Sequence, residues 1–237
     1  FFIPIICCIF AAFFLYRQPD FGSTAIIFIM TLILLFISKA KTIHLIILSF
    51  FGVLSGFILV HLKPYMLSRF NIFEPCQNYF SSGLESGYHL CYSLMAIGSG
   101  GIFGKGLGAS TSKLFFLPAA HTDFIFAILA EELGIFGIIF LVFLFYFFLR
   151  KCFFIGNKAI RVGLFFQGYL AYGIGIFISM QAFLNMSVNL GIAPTKGLSL
   201  PLFSYGGSNY LASIISIAII FRIYRDVYKK SINSSIR

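Results

Sequence analysis

Apolar windows of about 20 residues recur along this chain, each long enough to cross a hydrocarbon core about 30 Å thick. Inside lipid every backbone N–H and C=O must find a partner within its own segment, so these windows read as helices. Composition agrees: of 237 residues, 59% are hydrophobic and 10% charged, against roughly 25% charged in a soluble domain. The expected fold class is all-α, a polytopic membrane helix bundle forming a single domain over residues 1–237.

The spans are expected at Phe1–Tyr16, about Gly22–Ile37, Thr42–Leu62, Phe124–Leu149, Val162 to about Leu184, and about Tyr210–Ile223, with the fourth uninterrupted. Residue one already lies in an apolar run, with no initiating Met, basic n-region or cleavage site, which reads as the C-terminal part of something longer. Lys and Arg orient the spans. Alternate connections gather eleven of the 17 basic residues on one face, taken as cytoplasmic: Lys39 and Lys41, then Arg150, Lys151, Lys158 and Arg161, then Arg222, Arg225, Lys229, Lys230 and Arg237. The C-terminal tail is then inside, frayed after Tyr228, and the long interval 63–122 is outside. The net charge of +10 therefore reports topology, and its dispersal along the chain argues against nucleic acid. Five cysteines show no metal-ligand spacing. Cys76 and Cys91 share the long loop, where a disulfide stays open but unpaired thiols are the expectation.

That loop holds most of the chemistry. Over Ser86–Ile97 a stripe of Tyr88, Cys91, Tyr92 and Met95 predicts a helix lying in the membrane interface. A glycine run follows, from Gly98 to Gly108, where the backbone can turn sharply and approach a ligand or another helix. It is not a P-loop, because Ser99 stands where a glycine is needed and Gly106 follows Lys105. Lys105 and Lys113, with Lys63 and Arg69, either bind a diphosphate by charge-assisted hydrogen bonds or form a solvated basic loop. The loop closes on Leu117-Pro-Ala-Ala-His-Thr-Asp-Phe124. Asp123 either caps the next helix or, beside His121 and Thr122, takes a proton from a substrate hydroxyl or holds a divalent cation. Glu131 and Glu132 lie deeper in the same span, where charge is costly; an interhelical hydrogen bond to Asn185, Asn189 or Gln181 would satisfy them. Pro194-Thr-Lys-Gly197 and Ser204-Tyr-Gly-Gly-Ser208 flank a short apolar stretch that suggests a broken or re-entrant helix, or else an ordinary external turn.

Several of these stretches, in this order, carry a resemblance: Gln18-Pro-Asp-Phe-Gly22, Ser93-Leu-Met-Ala-Ile-Gly-Ser-Gly-Gly101, Gly106-Leu-Gly-Ala-Ser110, Leu117 to Phe126, Glu131-Glu-Leu-Gly134 and Pro194 to Ser208. They resemble the SEDS family (shape, elongation, division and sporulation) over residues 18–208, and its division-type branch more than its elongation-type branch. The resemblance implies ten transmembrane helices, of which the last six are here, with residues 63–122 as the large extracytoplasmic loop. It implies a peptidoglycan glycosyltransferase that polymerises lipid II, an undecaprenyl-diphosphate-linked disaccharide peptide, in the bacterial plasma membrane at the division septum. Asp123 matches the family's essential aspartate, and His121, Thr122, Lys105, Lys113, Lys196, Ser204 and Ser208 are expected around the substrate. A class B penicillin-binding protein transpeptidase and other divisome membrane proteins are the expected partners, and Mg2+ or Mn2+ the expected cation. Ala119 departs from the family, which usually has Glu there, and removes a carboxylate near Asp123. A lipid II flippase and a non-catalytic scaffold of the division machinery are the alternative readings.

Overall fold

The computed structural model describes residues 10, 21–38, 40–62, 85–112, 121–193 and 197–235. Among these the chain is all-helical, with six helices: α1 (Phe21–Ile37), α2 (Thr42–Leu62), α3 (Glu85–Gly100), α4 (Ile125–Arg161), α5 (Phe165–Asn189) and α6 (Gly207–Ser235). The first expected span falls outside the described residues apart from Phe10. α4 and α5 are long and apolar enough to cross a membrane. On α4, Phe136, Phe140, Phe143 and Phe147 stay largely exposed, as lipid-facing side chains do in a helix whose solvent is hydrocarbon.

Three boundaries differ from the expectation. α4 does not stop at Leu149 but runs on to Arg161, so the basic residues assigned to a connection lie on its last turns. The true connection is short: Gly163 adopts φ 76, its N–H bonds Ile160 O at 3.0 Å, and Leu164 N–H bonds Ala159 O at 2.9 Å. That is a Schellman closure, which glycine permits. α6 likewise continues helical to Ser235, where a frayed tail was expected after Tyr228.

The chain divides into two compact units. One comprises residues 1–64, 149–177 and 217–237. Within it small residues let helices approach closely: a Cβ at Gly156 would meet the Tyr172 ring, and one at Gly175 would meet Cys152 Cβ at 2.6 Å. Tyr172 closes this contact by donating its hydroxyl to Asn157 Oδ1 at 2.6 Å.

The second unit comprises residues 65–148 and 178–216. Here α3 is a helix as expected, but its buried face runs through Leu90, Ser93, Ala96 and Gly100, while Met95 of the anticipated stripe is 50% exposed. Smallness explains the difference, since Ser93, Ala96 and Gly100 bring the α3 backbone against its neighbours; a Cβ at Gly100 would overlap the carbonyl of Ala130. Cys91 lies in a disulfide, against the expectation of an unpaired thiol; its partner is outside the described residues. Burial of Cys91 to 1% exposure keeps the bond from water.

Candidate functional site

Asp123 stands in the turn 121–124 that leads into α4, two residues before the helix begins. Its backbone carbonyl accepts two hydrogen bonds, from Asn185 Nδ2 at 2.9 Å and from Asn189 Nδ2 at 3.1 Å. Asn185 Nδ2 also donates to Leu198 O, Asn189 Nδ2 to Asn185 O at 2.9 Å, and Ser93 Oγ to Asn189 O at 3.0 Å. Neighbouring carbonyls of the turn are fixed from the C-terminal side: Ser204 Oγ donates to Thr122 O at 2.6 Å, and Tyr205 N–H to His121 O at 2.9 Å. The Asp123 carboxyl accepts no hydrogen bond from a described side chain or backbone N–H, and so does not act as the helix cap that its position suggested. A Cβ added to Gly197 would come within 3.1 Å of Asp123 Oδ2, so glycine lets the backbone pass beside the carboxyl. Half-buried there, Asp123 has its pKa pushed up from the ordinary aspartate value by loss of hydration.

Beside this turn opens a cleft of about 630 Å³ walled by His121, Ile125, Ser204, Tyr205 and Tyr210 together with Leu202 and Phe203. Residues 197–206 form a hydrogen-bonded turn and extended chain with no helical segment, so of the two readings of this stretch the turn is found and the broken helix is not. The reason is local. Ser204 N–H and Phe203 N–H both close on Leu200 O, at 2.9 and 3.2 Å, and Leu200 N–H donates to Ser204 Oγ at 2.6 Å. These bonds hold Leu202 at φ 69, a conformation that a side chain rarely adopts and that must be imposed by its surroundings. His121 is exposed on the cleft wall, Thr122 is half-buried, and Ser208 is exposed on the first turn of α6. Lys113, Lys196 and Ala119 lie outside the described residues.

Glu131 is placed differently from the expectation. Its carboxylate, with 0% side-chain exposure, pairs with Lys105 Nζ at 2.7 Å and accepts from Ser110 Oγ at 2.6 Å, Thr111 Oγ1 at 3.2 Å and Ser99 Oγ at 3.3 Å. The asparagines proposed as its partners serve the Asp123 turn instead, because they project from α5 toward residues 121–124, whereas the glycine loop reaches Glu131 first. Glu132 is also buried.

The same loop breaks the helix. Gly134 has φ 66 and ψ −162, so α4 is two helical segments joined at a kink and not the uninterrupted helix expected. A regular helix would bond Ile135 N–H to Glu131 O and Phe136 N–H to Glu132 O. Here Glu131 O and Glu132 O accept from Lys105 N–H and Gly106 N–H, both at 3.0 Å, while Ile135 N–H and Phe136 N–H donate to Gly101 O and Ile102 O, at 3.1 and 3.5 Å. The glycine run thus supplies partners for four of the backbone groups at the break. Of the two roles foreseen for its glycines, close approach to a helix is the one observed: a Cβ at Gly104 would overlap Glu132 O, and one at Gly134 would overlap Gly104 N.

Among the described residues no three His, Cys, Asp or Glu side chains converge on a metal site. Asp123 and the neighbouring His121 offer one carboxylate and one imidazole, which suits only an ion that takes its remaining ligands from water or substrate phosphate, as Mg2+ commonly does.

Signals for the asparagine pair were present in the sequence. Asn185 and Asn189 are four residues apart on a helix, so they share a face, but their target lies 62 and 66 residues away in the chain.

A family described as Cell cycle protein, covering FtsW, RodA and SpoVE, matches residues 1–229. A probable peptidoglycan glycosyltransferase FtsW from Thioalkalivibrio sulfidiphilus is 45% identical over 217 residues, covering 91% of this chain and 53% of the relative. Proteins of the same name from Tolumonas auensis and Buchnera aphidicola are 45% and 42% identical, over 93% and 98% of this chain and 56% and 60% of their own lengths. The chain therefore spans little more than half of these relatives. A solved structure, reported as the structural coordination of polymerization and crosslinking by a peptidoglycan synthase complex, superposes with a TM-score of 0.71 at 26% identity, covering 95% of this chain and 62% of that one.

Proposed function

Because this chain belongs to the FtsW, RodA and SpoVE family of cell cycle proteins, we propose that it is the catalytic portion of an inner-membrane peptidoglycan glycosyltransferase that polymerises lipid II during septal wall synthesis. One observation carries the reading: Asp123 is held through its backbone, in the turn whose His121 walls an open cleft, with a carboxyl that no described side chain engages.

In this reading Asp123 takes the proton from an acceptor sugar hydroxyl as that oxygen attacks the anomeric carbon of the donor. The new C–O bond forms as the bond to the lipid diphosphate breaks, and the diphosphate leaves with the electron pair. Raising the carboxyl pKa by burial moves it toward the operating pH, where a base is most effective. His121 on the cleft wall, with Thr122 beside it and the exposed Ser208, would contact the sugars, while the buried Ser204 hydroxyl, spent on Thr122 O and Leu200 N–H, would shape the turn that meets them; Lys113 and Lys196 would meet the diphosphate. Lys105 is committed to Glu131, with 36% of its side chain still exposed for a further phosphate contact. A bound Mg2+ or Mn2+ would be held by Asp123 and would offset charge on the departing diphosphate.

The Cys91 disulfide supports an outward-facing α3, since such bonds persist in oxidising compartments, and the basic end of α4 and α6 supports a cytoplasmic C-terminus. A class B penicillin-binding protein transpeptidase and other divisome membrane proteins are the proposed partners. The test is polymerisation of purified lipid II by the full-length protein, with and without the transpeptidase. Asp123→Asn is expected to abolish glycan synthesis; retained synthesis would reject the role given to Asp123. Lipid translocation in vesicles, unaffected by this change, would identify a flippase.

A further inference from the structure

Asn185 and Asn189 are 1% and 0% exposed and neither touches the cleft. A carboxamide has two N–H donors and a carbonyl two lone pairs. Asn185 uses its donors on Asp123 O and Leu198 O, Asn189 uses its own on Asp123 O and Asn185 O, and both lone pairs of the Asp123 carbonyl are thereby filled. The peptide unit of Asp123 cannot rotate without losing two buried bonds. Leu198 follows Gly197, the residue whose backbone passes the carboxyl, so Asn185 also fixes what stands beside Oδ2. Neutral amides do this without cost to basicity. An arginine or lysine in their place would bring a positive charge that lowers the carboxyl pKa.

We propose that Asn185 and Asn189 are positioning residues, which fix the Asp123 carboxyl beside Gly197 by clamping its own backbone carbonyl and the segment running beside it. This rests on the reading of Asp123 as the base. Titratable groups on the elements packed around the turn include His89 on α3, against Phe124, and Tyr92 on α3, against the cluster that holds Phe124, then His121 beside Asp123, Glu131 and Glu132 on α4, and Tyr205 and Tyr210 on the C-terminal side; α5 supplies no charged group.

Leucine keeps the branching and heavy-atom count of asparagine, though it is bulkier, and has no N–H, so Asn185→Leu and Asn189→Leu remove the donors of the clamp. In the full-length protein reconstituted in lipid, each is expected to lower kcat for lipid II polymerisation by about 100-fold, as misplacement of a reacting group by an ångström does, with KM little changed. Carbodiimide labelling of Asp123, followed by mass spectrometry across pH, gives a readout independent of activity. A turn released toward water is expected to label with a lower pH midpoint than the wild type. Tyr172→Phe, which removes a buried hydrogen bond in the other unit, is expected to leave kcat and midpoint unchanged. If the leucine variants fail to fold, Asn185→Ser and Asn189→Ser carry the same expectation. Wild-type kcat and midpoint in folded variants would overturn the proposal, as would equal losses in Tyr172→Phe. If Asp123→Asn stays active, the enzymatic reading falls and the labelling midpoint alone decides whether the clamp exists.

Discussion

Asp123 and Glu131 lie about two helical turns apart and the fold treats them oppositely. Glu131 is surrounded by donors, while Asp123 is deprived of water and given none from a described side chain. The difference is measurable. A carboxyl whose folded pKa is raised binds its proton more tightly folded than unfolded, so its contribution to stability is complete below the unfolded value near 3.8 and is lost as pH rises through the folded value. Thermal unfolding across pH is expected to show this loss, and Asp123→Asn to remove it. For Glu131 the expected signature is intolerance. Lys105→Met leaves a buried carboxylate without its counter-ion and is expected to destabilise by about 3 kcal/mol. Glu131→Gln keeps a hydrogen-bond acceptor and is expected to cost less, about 1–2 kcal/mol, by the same thermal assay in detergent. The place of Asp123 in the sequence, between a polar loop and an apolar span, was legible, and the structure puts it in the turn just before α4. The partners of Glu131 were not, because helix spacing relates residues on one helix and Lys105 lies on a loop 26 residues earlier.

At the scale of elements, α4 shows what periodicity can and cannot reveal. Its apolar length was plain, and its start was placed within a residue. Its kink was hidden because glycine is common inside membrane helices, and Gly134 breaks this one only in concert with residues 101–106. Gly134→Ala is expected to be severe. The backbone there occupies a region open essentially to glycine, costing about 1–3 kcal/mol for another residue, and the new Cβ would strike Gly104 N and Ile102 O. Limited proteolysis of residues 101–112 in the folded protein is expected to speed up markedly, with a lower Tm. Cleavage at the wild-type rate would show that the loop does not depend on the kink. The turn at 200–204 was equally hard to read, since proline and glycine mark a break without saying whether helix or extended chain fills it.

For the whole molecule, hydropathy and charge were enough to predict an all-helical membrane protein, and ordered motifs enough to reach the family. The orientation proposed from the basic residues is open to direct measurement. Ser208→Cys is expected to react with a membrane-impermeant maleimide applied to cells whose outer barrier is opened, and Lys229→Cys only after lysis; the reverse pattern would invert the topology. Packing within each unit could not be foreseen, because it depends on which small residues face one another, as Gly156 and Tyr172 do.

The borrowed backbone bonds at Gly134 carry a consequence for biogenesis. Synthesis delivers residues 101–106 ahead of residues 131–136, so the loop that completes the kinked helix has already emerged when the helix itself leaves the ribosome. Until the loop docks, four peptide groups at membrane depth have no partners, or the segment passes through the bilayer as a straight helix that must later open. Docking of the loop and maturation of α4 are therefore one assembly event.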